Sequence, residues 1–422
     1  MRGDQFRALQ SHFNMQRLKT ILPRRHSPLF VLFVVVFLDL FGYGTIIPLL
    51  PFYVQRLGGD AVVVGALGSL YALMQLLSGP ILGAMGDHYG RRPILLGSIL
   101  GTAFAYLLLA TATEPAFLFV AIMLDGITGG NLSTAYAYIA DVTEPEQRAR
   151  GMGLVGAAFG LGLMLGPAMG GLLSAFGLSV PAFAAFVLAS ANVLLVWFGL
   201  KESLPREKRT RILRWRSLNW ISQLTILARM QAVRILLVAM FLLNLAFAGL
   251  QTNFPLFSQA RFGWTTTQNG IFFAFVGVCA VVIQGFLLGK IQPRFGDKRL
   301  ALSGLLMMAF ALALVAIAPA GWMMFPLVAL GALGSGTSIP TLTGLVSQRV
   351  AADEQGRLMG GTQVVLNLAA IAGPTLAGVA FERVAIGAPY ALGAIFAALA
   401  FVCAWYGLRK FKVAATIIPP RA

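Results

Sequence analysis

The chain has 422 residues, enough for about three soluble domains, but its composition excludes a soluble fold. Charged residues make up only 11% of the chain and hydrophobic residues 58%, and the mean hydropathy is +0.80. A soluble protein of this size needs a charged surface, so the chain is a polytopic membrane protein. The net charge of +17 indicates either a nucleic-acid partner or a membrane orientation signal.

Twelve apolar stretches are long enough to cross a bilayer, whose hydrocarbon core of about 30 Å requires about 20 helical residues. In chain order they are approximately 28–50, 64–86, 93–112, 115–139, 151–175, 181–200, 232–257, 268–290, 299–318, 322–347, 358–382 and 387–408. Their apolarity is continuous and does not alternate every second residue, which predicts helices and not barrel strands. The predicted fold is an all-α integral membrane protein with twelve transmembrane helices.

The basic residues distinguish the two interpretations of the net charge. Twelve spans place both termini, and the loops after spans 2, 4, 6, 8 and 10, on one side of the membrane. These segments hold 29 of the 32 Lys and Arg residues, and the other side has Arg56, Arg261 and Arg383. Because Lys and Arg are retained in the cytoplasm, we expect both termini there, and the basic excess requires no nucleic acid.

The two halves of the chain repeat one another. Gly83–Arg92 matches Gly289–Lys298, Glu146-Gln147 matches Glu354-Gln355, and Gly166-Pro167 matches Gly373-Pro374, at offsets between 206 and 208 residues. Three matches near one offset predict a repeated six-span unit. The expected segments are an N-terminal segment (1–27), a six-helix bundle (28–200), a basic linker (201–231), a second bundle (232–408) and a tail (409–422). The linker is either an interfacial segment on anionic lipid or a solvated connection.

Three motifs resemble those of a known family. The loop after span 2 reads Gly83-x-x-x-Asp87-x-x-Gly90-Arg91-Arg92, span 5 carries GLGLMLGPAMGG, and span 1 has Leu38-Asp39 followed by Pro48-x-x-Pro51. From about residue 30 to 408 the chain resembles major facilitator superfamily transporters of the twelve-span drug:proton antiporter type. The stretch YALMQLLSGPILGAMGDHYGRRPILL is most similar to bacterial tetracycline efflux proteins. The resemblance implies two six-helix halves that rock around a central cavity lined by spans 1, 4, 7 and 10.

The motif after span 2 lies in a very short cytoplasmic loop. Glycine permits a tight turn there, Asp can accept from helix N-terminal N–H groups, and Arg can pair with a carboxylate such as Asp141. The resemblance implies a cytoplasmic latch that closes the outward-open state, and plain positive-inside topology is the alternative. The expected latch residues are Gly83, Asp87, Gly90, Arg91, Arg92 and Asp141.

The span 5 motif contains small residues at which helices can approach closely, and a proline that bends the helix. The resemblance implies that this antiporter-type seam seals the cavity and meets the other half as the halves rock. The seam residues are Gly160, Gly166, Pro167, Gly170 and Gly171, with Gly373-Pro374 as their counterpart in span 11. Ordinary helix packing explains the same residues.

Only two of the 15 acidic residues, Asp39 and Asp125, lie deep within a span. An Asp at mid-helix costs about 2.5–3.5 kcal/mol of insertion free energy, and no Lys or Arg lies at that depth to pair with them. An unpaired acid in an apolar medium favours its protonated form, so we predict that both couple protons to substrate. The alternative is that they hydrogen-bond neighbouring hydroxyl groups as structural links.

Polar residues at helical spacing are candidates for the substrate cavity, although each alone could be a helix–helix hydrogen bond. They are Tyr71, Gln75, Tyr136, Asn244, Gln251, Gln284, Thr341, Gln363 and Asn367. Tetracycline efflux proteins carry an Arg in span 4 where this chain has Asp125, and acids where it has Ala105 and Met308. Two deep acids without a base favour a neutral or cationic substrate.

The sequence therefore predicts a secondary active transporter that exports a small amphipathic compound, such as a drug or tetracycline, by proton antiport. The alternative is a proton-coupled importer or facilitator of a nutrient or metabolite. Because P-loop, zinc-hydrolase and nucleophile motifs are absent, we expect no enzyme activity, cofactor or metal, and a proton gradient as the energy source. The expected partners are substrate, protons and membrane lipid. We expect the protein to function as a monomer in the bacterial inner membrane.

Overall fold

The computed structural model describes residues 28–144, 147–210, 225, 230–350 and 354–410. The predictions for residues 1–27, for most of the linker beyond residue 210, for the tail beyond residue 410 and for Glu146 lie outside these residues. Helix is the regular secondary structure that the described residues form.

The described residues include twelve helices that are long and apolar enough to cross a bilayer. In chain order they are α1 (Pro28–Arg56), α2 (Ala61–Tyr89), α3 (Arg91–Ala110), α4 (Pro115–Val142), α5 (Gly151–Phe176), α6 (Val180–Gly199), α7 (Val233–Phe262), α8 (Thr266–Phe295), α9 (Asp297–Ile317), α10 (Gly321–Ser347), α11 (Leu358–Arg383) and α12 (Ala388–Arg409). The prediction of twelve transmembrane helices is confirmed. Several helices extend beyond the predicted apolar stretch, since polar residues that flank the stretch are also helical.

Side-chain caps and glycine set several helix ends. The helix α2 begins after Asp60, whose carboxylate accepts the Val63 N–H at 2.9 Å. A capping box between Thr265 and Gln268 starts α8, since each side chain bonds the backbone N–H of the other. Gly263 ends α7 in the left-handed region with a φ of 68°, a conformation that glycine adopts without steric penalty.

Two helices of the first half are irregular near their middle. The helix α1 contains a 3-10 turn at Ile47–Leu49, and α4 contains one at Gly129–Asn131. Pro48 lacks the N–H that an α-helix needs, and paired glycines have low helix propensity, so both sequences favour an interruption. Irregular backbone at membrane depth is tolerated where it faces protein or a cavity. The interrupted helices are the two that carry Asp39 and Asp125.

The helices form two six-helix halves with the same packing pattern. In α1–α6, α1 packs on α5 and α6, and α3 packs on α4 and α6; in α7–α12, α7 packs on α11 and α12, and α9 on α10 and α12. The second half has its own buried apolar core, in which the rings of Phe254 and Phe272 stack at 4.1 Å. This correspondence confirms the repeated six-helix unit that the sequence motifs predict.

The two halves touch each other along α2 and α11. The hydroxyl oxygens of Ser69 and Thr375 lie 2.7 Å apart, and Gly65 packs directly on the backbone of Pro374. These residues lie near the start of α2, away from the loop that carries Arg91. Farther along α2, Gly79 faces open space. We call the end near Ala61 the closed end, and the end with the α2–α3 loop the basic end.

The helices α5 and α8 also move apart from the closed end toward the basic end. A Cβ atom at Gly171, near the closed end, would lie 2.7 Å from the Cα of Gly270. Nearer the basic end, a Cβ atom at Gly160 would lie 3.9 Å from Val281, and one at Gly156 would meet nothing within 4 Å. The halves therefore meet at the closed end and separate toward the basic end, so the space between them opens there.

The closed-end contact can be tested by a disulfide between the halves. Because the Ser69 and Thr375 hydroxyls are 2.7 Å apart, cysteines at both positions are placed to form a disulfide. We expect Ser69→Cys with Thr375→Cys, in a background with Cys279 and Cys403 replaced by Ser, to cross-link on oxidation. After cleavage at a protease site inserted in the linker, the two halves should migrate together on a non-reducing gel. The Ser69→Cys single variant is the control, and separation of the doubly substituted halves would contradict this packing.

Candidate functional site

The structure brings the two deep acids together between α1 and α4. The amide of Asn131, in the 3-10 turn of α4, donates to the Asp39 carboxylate at 3.2 Å. Asp125 is 7% exposed, and its carboxyl group faces the Thr102 side chain on α3. The two carboxyl groups are close enough to interact electrostatically. A proton or ligand bound to one acid therefore changes the free energy of charging the other.

Three tyrosines surround these acids, on α1, α2 and α3. Tyr43 follows Asp39 by one helical turn, and its ring lies 5.2 Å from that of Tyr71 between centroids. Tyr106 is buried and packs on Gly42, where a Cβ atom would lie 3.2 Å from its ring. The sequence reasoning named Tyr71 and missed the other two. The i, i+4 spacing from Asp39 was the available signal for Tyr43, since such residues share a helix face.

Asp125 lies in a small void between α1, α3 and α4. The void has about 10 Å³ of space for the centres of water-sized molecules, which is room for about one water. Tyr43 and Tyr106 provide its polar walls besides the acid itself, and Ile46 and Leu109 are among its apolar ones.

A larger cavity lies between the two halves, next to the void. It offers about 160 Å³ to the centres of water-sized molecules and is lined from α1, α2, α4, α7 and α11. Its polar lining includes Tyr71, Gln75 and Gln251, three of the predicted cavity residues, and also Thr252. The Gln75 amide donates to the Tyr71 hydroxyl at 3.4 Å. The cavity therefore combines apolar walls with a few polar groups, as sites for amphipathic molecules do.

The other six predicted cavity residues lie outside these two spaces. Thr341 is 2% exposed, and its hydroxyl donates to the carbonyl of Thr337 at 2.6 Å. Serine and threonine hydroxyls often bond the carbonyl one turn back, and in this conformation the Thr341 hydroxyl is satisfied in that way. Of the remaining five, Asn244 donates to a carbonyl of its own helix, and Gln363 donates to Asn367. The last two, Gln284 and Tyr136, are exposed.

The predicted latch residues form a charge cluster at the basic end. Arg91 is 7% exposed and pairs with Asp87 at 2.5 Å and with Asp141 at 3.2 Å. Its guanidinium also donates to the carbonyl of Gly83 at 3.5 Å. Gly90 has a φ of 111°, a conformation that side chains disfavour, and it allows the tight turn between α2 and α3. In this conformation these three partners of the Arg91 guanidinium all belong to the first half.

Glu202, which the sequence reasoning missed, caps the start of α3. Its carboxylate accepts the backbone N–H of Arg91 at 2.9 Å and that of Arg92 at 3.3 Å. It also pairs with Arg209 at 3.8 Å, and it occupies the space that a side chain at Gly90 would need. A carboxylate is favoured at a helix N-terminus because N–H groups there are unsatisfied. Glu202 lies in a different loop, so sequence spacing gave no signal for this contact.

The first residues of the linker fold back against the α2–α3 loop. The N–H of Thr210 donates to the Asp87 carbonyl at 3.0 Å, and His88 Nδ1 donates to the Thr210 carbonyl at 2.6 Å. The hydroxyl of Ser203 donates to Asp141 at 3.0 Å. The linker and the latch residues therefore form one connected polar cluster.

The predicted seam on α5 contacts both halves. A Cβ atom at Gly166 would lie 2.6 Å from the Phe41 carbonyl oxygen, and Gly170 packs directly on the Thr45 carbonyl, both on α1. Gly171 meets α8 instead, and a Cβ atom at Gly270 would lie 2.8 Å from the carbonyl oxygen of Pro167. These glycines let three helix backbones approach more closely than side chains would allow.

The match to a family model identifies the family. The model for the Major Facilitator Superfamily matches residues 32–360, and a second match covers residues 282–418. This chain belongs to the major facilitator superfamily. It is therefore an integral membrane protein of a transporter family, and the predicted family is confirmed.

Curated and solved relatives cover most of the chain. The tetracycline resistance protein, class C, of Escherichia coli is 36% identical over 356 residues, which are 84% of this chain and 89% of that protein. Multidrug resistance protein 2 of Bacillus subtilis (strain 168) is 28% identical over 82% of this chain and 87% of its own length. The crystal structure of the human organic anion transporter MFSD10 (TETRAN) superimposes with a TM-score of 0.68, at 25% identity, over 91% of this chain and 100% of that one.

The cap by Glu202 predicts a loss of stability on substitution. The change Glu202→Gln removes the charge that interacts with the α3 N-terminus and with Arg209, so we expect about 1–2 kcal/mol of destabilisation. Thermal unfolding of the purified protein in detergent, followed by circular dichroism, measures the effect. Glu207→Gln, in an exposed part of the same segment, is the matched control and should unfold like the wild type. Equal unfolding temperatures for the two variants would count against the capping role.

Proposed function

We propose that the chain exports small amphipathic compounds, neutral or cationic, from the cytoplasm in exchange for protons. In this proposal it works as a monomer in the bacterial inner membrane, with lipid around it and both termini in the cytoplasm. The 29-to-3 distribution of basic residues supports this orientation, since Lys and Arg are retained on the cytoplasmic side. The basic end then faces the cytoplasm, and the structure corresponds to the inward-open state of an alternating-access cycle.

The observation that carries the proposal is the pair Asp39 and Asp125. Among the described residues, no Lys or Arg lies at their depth. An ionised carboxylate in a medium of low dielectric constant is unstable unless it is neutralised, so each acid must bind a proton or a compensating ligand. Two ligands that stabilise the same group in alternative ways exclude one another. Competition of this kind is what an antiporter requires.

The exchange cycle follows from this competition and from the packing of the halves. Substrate enters the cavity from the basic end, and its binding releases protons from the acids to the cytoplasm. The halves then rock about the α2–α11 and α5–α8 contacts, where glycines allow close sliding. Protons from the outside neutralise the acids and displace the substrate there. In the outward-open state, the latch residues close the basic end by contacting the second half.

The substrate class is supported by the charge of the site and by the relatives. Two acids without a base disfavour an anion, so neutral and cationic compounds are expected. Relatives named for tetracycline and multidrug resistance favour efflux over the nutrient-import alternative. The human relative of known structure is an organic anion transporter, so a panel that includes an organic anion tests whether the two acids exclude that class here.

Exchange in proteoliposomes tests the role of the two acids. We expect Asp39→Asn and Asp125→Asn each to reduce proton-driven transport of ethidium and tetracycline by about 10²-fold, because a group that must gain and lose a proton becomes permanently neutral. The measurement applies a pH gradient and follows both compound and proton flux. Glu114→Gln, an exposed acid at the start of α4, is the matched control and should transport normally. Exchange of compound for protons at the wild-type rate by the Asp39→Asn, Asp125→Asn double variant would contradict the proposal.

Growth of an efflux-deficient host tests the direction of transport. Expression of the wild type should raise the tolerated concentration of lipophilic cations or of tetracycline, and Asp125→Asn should abolish that increase at equal protein level in the membrane. Expression of the wild type should not raise the tolerated concentration of a toxic organic anion. Unchanged sensitivity to the whole panel, or increased sensitivity as an importer would cause, would contradict efflux.

A further inference from the structure

The void that holds Asp125 and the cavity between the halves share three lining side chains, which we call the wall. Tyr43, Ile47 and Ile122 line both spaces. Asp125 lines the void and not the cavity, and it is 7% exposed. Of the three shared residues, Tyr43 alone carries a polar group. On a route past these three side chains, the Tyr43 hydroxyl is therefore the one group that can bind and release a proton between the cavity and Asp125.

The space around Asp125 limits how else a proton can arrive there. At about 10 Å³, the void has room for about one water molecule, so a chain of several waters does not fit beside Asp125. The Tyr43 ring packs against the Tyr71 ring at 5.2 Å between centroids, and the Tyr71 hydroxyl lines the cavity and accepts from Gln75 at 3.4 Å. Two neighbouring tyrosines therefore lead from the cavity to the void that holds Asp125.

The other titratable groups near this wall come from three helices. Asp39 lies on α1, Tyr71 on α2 and Tyr106 on α3, and each interacts electrostatically with the cluster around Asp125. Asp39 is held by the Asn131 amide and is half-buried, so it is more accessible than Asp125. Tyr106 lines the void but not the cavity, so it provides no passage between them.

We propose that the Tyr43 hydroxyl relays protons between the substrate cavity and Asp125, while the Tyr43 ring keeps substrate away from that acid. The inference rests on the proposed proton exchange and names the residue through which it passes. In the loading step, Tyr43 gives its proton to a water molecule in the void, that water passes a proton to the Asp125 carboxylate, and Tyr43 takes a proton from water or the Tyr71 hydroxyl on the cavity side. Tyr43 is neutral before and after the step, and release is the same transfer in reverse.

The variant Tyr43→Phe separates the relay from the wall, because it removes the hydroxyl and keeps the ring. We expect proton-driven transport of ethidium into proteoliposomes to fall at least about tenfold. Exchange of labelled for unlabelled ethidium at equal pH on both sides requires no net proton transfer, so it should fall much less than proton-driven transport. That second measurement also shows that the variant is folded and inserted. The matched control is Tyr390→Phe, in the second half, which removes a buried hydroxyl that has no hydrogen-bond partner. We expect this control variant to have wild-type rates in both assays.

The outcomes distinguish the relay from the proposed function. Proton-driven transport by Tyr43→Phe at the wild-type rate would overturn the relay. Equal loss of proton-driven transport and of ethidium exchange would also overturn it, since Tyr43 would then only bind substrate. If the wild type moves ethidium or tetracycline without protons, the proposed antiport itself fails. Loss of proton-driven transport alone supports the relay.

Discussion

A carboxyl group held in the membrane without a basic partner is the constraint on which the rest of this structure depends. The free energy of ionising such a group is high, so its surroundings must supply dipoles or exchangeable protons. Asn131 supplies an amide to Asp39, Thr102 faces Asp125, and three tyrosines complete the cluster. These groups come from α1–α4, so the packing of the first half determines how the acids behave.

The remaining features allow this cluster to face either side of the membrane. Glycines on α5 bring its backbone close to α1 and α8, and the α2–α11 contact seals the closed end. Small residues slide past one another with little steric resistance, whereas large side chains would have to interdigitate again. The charge cluster of Arg91, Asp141 and Glu202 lies at the basic end, where each charge has an oppositely charged or hydrogen-bonding partner. In the proposed cycle, charge pairing at the basic end and close glycine contacts between helices serve different steps.

The sequence predicted the features that depend on depth and composition. Twelve helices follow from the length of the apolar stretches, and the deep acids stand out because charge is rare there. Tyr106 was missed because a helix that is apolar all round does not reveal which face meets its neighbours, and Tyr43 was missed although it lies one helical turn from Asp39. Contacts between distant loops, such as Glu202 with the α3 N-terminus, leave no spacing pattern. Thr341 stays a cavity candidate from helical spacing, and in this conformation it is buried with its hydroxyl bonded to its own backbone. Which end of the cavity is open depends on small differences between two packings of the same residues.

The central claim is that substrate and protons compete for Asp39 and Asp125. It is tested most directly without a membrane, by adding ethidium or tetracycline to the purified protein in weakly buffered detergent and recording the pH. The account predicts that binding acidifies the solution with the wild type, since bound protons are displaced. It predicts no acidification with the Asp39→Asn, Asp125→Asn double variant. Binding by the wild type without proton release, or equal release by the double variant, would contradict it.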